Sequence, residues 1–164
     1  MPPSVPKPSA PLVLVCGEDD FGVKQRAKEI YLQWGEELGG MDHEIIDAAV
    51  NHSGEAVRVL GQLREALQTL PFFGSAKVIW LQNCNFLSDE RAATSQAATN
   101  TLAELAQELK DFSWSAPCKI RLLISAGKVD KRKVFYKSVE KLGKVEAFAG
   151  WSLEDRDWAE QAAA

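Results

Sequence analysis

Five short aliphatic runs punctuate the chain: PLVLVC (11–16), HEIIDAA (43–49), AKVIWLQN (76–83), CKIRLLIS (118–125) and KVEAF (144–148). Each is followed by a Gly- or Pro-bearing turn or a capping residue, and the first four lead into stretches whose apolar residues recur with helical spacing. Strands separated by helices cannot pair as tight hairpins. They need crossover connections, and crossovers give parallel neighbours with helices on the sheet faces. The fold class this predicts is α/β: a three-layer, mainly parallel five-stranded sheet with helices on both faces.

The first helix is expected over 20–38, with Val23, Ala27, Ile30, Tyr31, Trp34 and Leu38 inward and Gly39-Gly40 as its stop. Ser53 is the expected cap of a second helix, 54–70, carrying Ala56, Leu60, Leu63, Leu67 and Leu70 on its apolar face. Ser88-Asp89 open a third, to about 112, with Leu102, Leu105, Leu109 and Phe112 on one side. Asp130 is the expected cap of a fourth, 131–142, with Val134, Phe135, Val139 and Leu142 inward and Gly143 at its end. Residues 1–10 are proline-rich and predict a disordered arm. Residues 11–150 form the α/β domain. Residues 151–164 are acidic and read as a linker or the start of a truncated helical second domain.

At 164 residues and 46% hydrophobic, the chain can build one substantial core. A net charge of −4 gives no global attraction to nucleic acid, so any contact with DNA must be local. Cys16, Cys84 and Cys118 are odd in number and widely spaced, which fits reduced thiols in a cytoplasmic protein. His43 and His52 have no metal-ligand spacing with any cysteine, so no metal site is expected. The apolar runs fall well short of the roughly 20 residues that span a bilayer.

The turn after the first run has the outline of a phosphate-binding loop. Gly17 and Gly22 stand four residues apart between a strand and a helix, but Val23 takes the lysine position and Lys24 the hydroxyl position. Between the glycines lie Glu18, Asp19, Asp20 and Phe21. Three carboxylates there would repel a polyphosphate, whereas Asp19 or Asp20 can cap the helix that follows. The third run ends in Gln82-Asn83, with no acid to hold magnesium. Nucleotide hydrolysis is therefore not expected, and neither is a bound cofactor.

The acidic cluster also suits a receiver domain. That chemistry needs a phosphoaccepting aspartate after the third strand and a lysine after the fifth. Gln82-Asn83 and Ala147-Phe148 occupy those places. A divergent nucleotide-binding switch or receiver-like signalling domain stays as the alternative reading.

Two segments look outward. In LQTLPFFGSAKVIWL (67–81), Pro71 ends the helix and Gly74 permits a turn, leaving Phe72 and Phe73 adjacent. Either one ring packs inward and the other staples the loop, or the rings form an apolar plug for a partner's pocket. Residues 128–144 hold seven of the 19 basic residues, and Lys133, Lys137 and Lys141 recur every four positions. That stripe is either a solvated helix face or, with Lys131 and Arg132, a patch for an acidic partner or a DNA backbone.

Three segments in this order resemble the N-terminal region of the delta subunit of the bacterial DNA polymerase III clamp loader. LVLVCGEDDF (12–21) is similar to its opening strand and G-[DE]-[DE]-x-F turn. LQTLPFFGSAKVIWLQN (67–83) is similar to its helix, Leu-Pro-Phe-Phe-type turn and strand. KVDKRKVFYKSVEKLGKVEAF (128–148) is similar to its Asp-Lys-Arg-Lys helix and next strand. The resemblance implies an AAA+-related domain without nucleotide chemistry and with no catalysis of its own, inside an assembly that carries DNA-directed DNA polymerase activity. It implies binding to the sliding clamp (beta subunit) through Leu70, Pro71, Phe72 and Phe73, and ring opening during DNA replication. Other clamp-loader subunits are the implied further partners, with DNA reached through the complex and no membrane. Gly22 replaces the family's larger apolar residue, which predicts a less firmly started first helix. Complete delta subunits are longer, with a helical second domain and a collar domain.

Overall fold

The computed structural model describes residues 10–38, 43–69, 76–87, 96–112, 114 and 119–148. Nearly all of the arm expected at 1–10, the turn at 70–74, the start of the third helix at Ser88-Asp89, Cys118 and the tail at 151–164 lie outside these residues. The strands are β1 (Leu12–Cys16), β2 (Glu44–Asp47), β3 (Ala76–Cys84), β4 (Lys119–Ala126) and β5 (Lys144–Ala147). The helices are α1 (Asp20–Leu38), α2 (Ser53–Gln68), α3 (Gln96–Asp111) and α4 (Val134–Leu142). All four ladders are parallel, in the order β2-β3-β4-β1-β5.

That order fixes the layers. The step from β1 to β2 runs one way across the sheet, over β4 and β3, and every later step runs back the other way. Crossovers between parallel strands are right-handed, so reversing direction moves the connecting helix to the opposite face. Among the described residues, α1 accordingly packs alone on one face, burying Val23, Ala27, Ile30 and Trp34 against Val13, Val15, Val78, Trp80 and Leu123. α2, α3 and α4 cover the other face over Leu12, Leu14, Ile79, Leu81, Leu122 and Ile124. Period-two alternation explains the division: neighbouring residues of a strand point to opposite faces.

The one-helix face also holds polar groups that have found partners. Trp80 Nε1–H donates to Ser125 Oγ at 2.9 Å, and both residues are buried. Val78 N–H donates to His43 Nδ1 at 3.0 Å, which satisfies an amide of β3 just beyond the first residue of β2. Arg121 lies 5.6 Å from the Trp34 ring centre and pairs with Glu37 at 3.3 Å. At the β5 edge, Arg26 of α1 grips Glu146 with two bonds, Nε at 2.7 Å and Nη2 at 3.1 Å. Arg26 is buried, so this pair ties the helix to the last strand away from bulk water.

Three local expectations change. Asp130 does not cap α4. It closes the turn before the helix, its Oδ1 accepting from Arg132 N–H and its carboxylate pairing with the Arg132 guanidinium, all at 3.0 Å. α4 therefore starts three residues later than expected, with Lys133 at the cap position and no side-chain cap bond. Val134 is then 63% exposed, because Phe135, Tyr136 and Val139 make the inward face. At α2, His52 and not Ser53 is the cap, its Nδ1 accepting from Glu55 N–H. Cys16 and Cys84 are buried free thiols, and desolvation pushes Cys84 up to about 12.

Candidate functional site

In an open α/β sheet, ligands bind in the crevice at the carboxyl ends of neighbouring strands whose connections leave on opposite faces. Here those strands are β1, followed by α1, and β4, followed by α4. Gly17 sits at that point, so the near phosphate loop occupies the position where a nucleotide would enter. Its backbone is already engaged. Gly17 N–H donates to Gly127 O at 3.0 Å, joining the ends of β1 and β4. Asp19 N–H donates to Phe148 O at 3.2 Å, and Phe148 N–H donates to Cys16 O at 2.8 Å. A phosphate cradle works by aiming free amides at one point. These amides point at the protein's own carbonyls.

The acids complete the closure. The Asp19 side chain accepts from Gly22 N–H at 3.1 Å, and Asp19 O accepts from Val23 N–H at 2.9 Å. Asp19 is thus the cap of α1, and its bond runs to the amide of Gly22, where a Cβ would come within 2.5 Å of the Asp19 carboxylate. Asp20 pairs with Lys24 at 3.1 Å, so the one lysine of the loop is held by an acid beside it. Gly17 adopts φ +137°, and a Cβ there would meet Phe148 O at 1.9 Å. Among the described residues, no group of three or more His, Cys, Asp or Glu side chains is arranged to hold a metal ion.

Leu70, Pro71, Phe72 and Phe73, expected as a clamp contact, lie outside the described residues, but both flanks of the segment are defined. On one side Thr69 ends α2, its N–H and hydroxyl both donating to Glu65 O, at 3.0 and 2.8 Å. On the other, Ala76 is buried and Lys77 runs under α2, Nζ donating to Ala66 O at 3.1 Å and pairing with Glu44 at 3.3 Å. A buried lysine that ties β2, β3 and the end of α2 together fixes where the six residues 70–75 leave and rejoin the domain. Sequence alone gave Lys77 no role; a lysine in an otherwise apolar strand was the available signal.

The basic segment is only partly a positive surface. Lys137 and Lys141 are exposed along α4, and Lys133 is half-buried at its start. Lys131 is exposed in the preceding turn, where its charge also reaches the Cys16 thiol, whose pKa burial raises. Arg132 is matched by Asp130, and that pairing holds the Asp130 carboxyl down to about 2. Among the described residues, no helix is long and apolar enough to cross a membrane.

The order β2-β3-β4-β1-β5 also separates this sheet from a receiver domain, whose order is 2-1-3-4-5. Solved structures share the architecture at low identity. A Bacillus subtilis DNA clamp loader delta protein matches with TM-score 0.60 and 14% identity, over 88% of this chain and 40% of that one. A chain of the Escherichia coli MS115-1 HORMA:CdnC:Trip13 complex matches with TM-score 0.53 and 13% identity, over 94% and 53%. A Thermotoga maritima protein related to the DNA polymerase III gamma subunit matches with TM-score 0.51 and 13% identity, over 94% and 46%. The chain thus spans between two fifths and just over half of the length of these structures. No curated protein matches its sequence significantly. The family model of the DNA polymerase III delta subunit matches residues 14–148, nearly the whole α/β domain, and the chain belongs to that family.

Proposed function

We propose that this domain is the clamp-binding part of a delta-type clamp-loader subunit acting in DNA replication in the cytoplasm. Leu70, Pro71, Phe72 and Phe73 form its contact with the sliding clamp, the two rings seating in an apolar pocket of the ring-shaped partner. The observation that carries this reading is the family match over 14–148, a range that includes the Leu-Pro-Phe-Phe motif. The anchored flanks of the turn support it, because a plug on a fixed base loses less entropy on binding.

The domain is AAA+-related and performs no chemistry. It opens the ring by binding the open clamp more tightly than the closed one, a shift that needs differential affinity and not hydrolysis. Hydrolysis belongs to other subunits of the loader, and Lys131, Lys133, Lys137 and Lys141 face an acidic partner or DNA in that assembly. The test is a pull-down with the cognate clamp. Burying each ring contributes roughly 1.5–3 kcal/mol, so Phe72→Ala/Phe73→Ala weakens binding about 100-fold or more. Equal retention of the clamp by both proteins would refute the plug.

A further inference from the structure

α1 has a second apolar stripe that the fold does not use. Its inward face is buried, yet Phe21 is 75% and Leu32 55% exposed. They lie on the outer side of the helix with Lys24, Gln25, Lys28 and Glu29 between them, along a shallow groove; Glu29 is turned to Arg26, at 3.4 Å. Over eleven residues the stripe is about 16 Å long. Lone exposed apolar residues are ordinary, but two aligned on one helix with lysines between them make a surface of definite chemistry.

The chain itself supplies an occupant. β5 ends at Ala147, and Phe148 packs at the first turn of α1, where a Cβ on Gly22 would lie 3.2 Å from its ring. The last described residue thus sits at the first turn of α1, which carries Phe21, and 16 residues follow it in the sequence. They carry Trp151, Leu153 and Trp158 together with Glu154, Asp155, Asp157 and Glu160, against a single Arg156. Apolar groups among acids complement an apolar stripe bearing lysines. Reach is sufficient: three residues extend about 10 Å, enough for Trp151 to cover Phe21. Trp158, seven residues on, lies about 10 Å further if helical and about 23 Å if extended, which brackets the distance to Leu32.

We propose that the outer face of α1, from Phe21 to Leu32, is the docking surface for this chain's own residues 149–164. The docked segment shields the two apolar side chains and sets its acids against Lys28 and, in competition with Asp20, against Lys24. This inference stands independently of the clamp-binding reading.

The experiment is acrylamide quenching of tryptophan emission in the full chain. Trp34 and Trp80 are buried in the core, and the half-buried Trp114 packs on the face of the sheet opposite α1, so a change in quenching on altering α1 reports mainly on Trp151 and Trp158. Phe21→Ser/Leu32→Ser, both on the solvent side, raises the quenching constant about twofold, and Trp151→Phe/Trp158→Phe in that background abolishes the rise. Lys24→Glu/Lys28→Glu raises it in the same direction, and added salt narrows its difference from the wild type. Unchanged quenching in both α1 variants overturns the proposal. Shielding that weakens on dilution also overturns it, by pointing to a second copy of the chain as the occupant.

Discussion

Gly17→Ala is expected to remove about 3–5 kcal/mol of folding stability, from backbone strain and overpacking together. At φ +137° an L-residue is strained whatever the space, and the added Cβ would sit 1.9 Å from Phe148 O. Relief requires Phe148 to move, and Phe148 bonds both Asp19 N–H and Cys16 O, so the closure of the β1–α1 turn opens with it. A single domain has only about 5–15 kcal/mol in total, so this loss is large. The same substitution inside the helix should act oppositely. Gly35 lies in α1 with nothing within 4 Å of an added Cβ, and Gly35→Ala should stabilise by roughly 0.5–1 kcal/mol. Urea unfolding of both variants measures the contrast. A harmless Gly17→Ala would mean that the turn is not closed as described.

Arg26→Ala is the second large effect, at about 3–5 kcal/mol. The guanidinium is held by Glu146 and also by Glu29 at 3.4 Å, and its Glu146 partner is only 18% exposed. Truncating the arginine leaves that carboxylate without its partner in a poorly hydrated place, which costs more than the pair itself contributes. Glu146→Ala costs less, because Glu29 still faces the guanidinium at 3.4 Å. Arg26→Met/Glu146→Leu, which replaces the pair by apolar groups, should recover most of the loss. Urea midpoints of the three variants decide this; a double variant as unstable as Arg26→Ala would show that the pair is a net stabiliser.

The parts of the fold legible in the sequence are those where one local rule acts alone. α1 falls on 20–38 as expected, because apolar periodicity, an acidic start and the Gly39-Gly40 stop all agree. The strands match within a few residues for the same reason. Strand order was not legible: it depends on which neighbours the crossovers skip, and no residue of β1 marks it as the strand between β4 and β5. Caps were misread where two candidates adjoin. His52 takes the role given to Ser53 because its ring nitrogen reaches Glu55 N–H. Asp130 is drawn away from α4 by Arg132, two residues on, a pairing that helix rules do not consider.

The candidate site divides along the same line. The three acids, read as hostile to phosphate, sit at the strand-order crevice, and Asp19 is the cap. The backbone closure by Gly127 and Phe148 was invisible, because carbonyls far away in sequence provide it. Arg26 and Glu146 are 120 residues apart, so no local pattern links them. The proposed plug of Phe72 and Phe73 rests on its motif, and the structure defines the flanking residues Thr69 and Ala76.

The central claim is that this domain engages the clamp through Phe72 and Phe73 and does so without nucleotide. Calorimetric titration of the clamp into the chain, with and without magnesium and ATP, tests it most directly. Saturable clamp binding of equal affinity is expected in both conditions, lost in Phe72→Ala/Phe73→Ala, with no heat from ATP alone. Saturable micromolar ATP binding, or clamp binding that appears only with ATP, would contradict it.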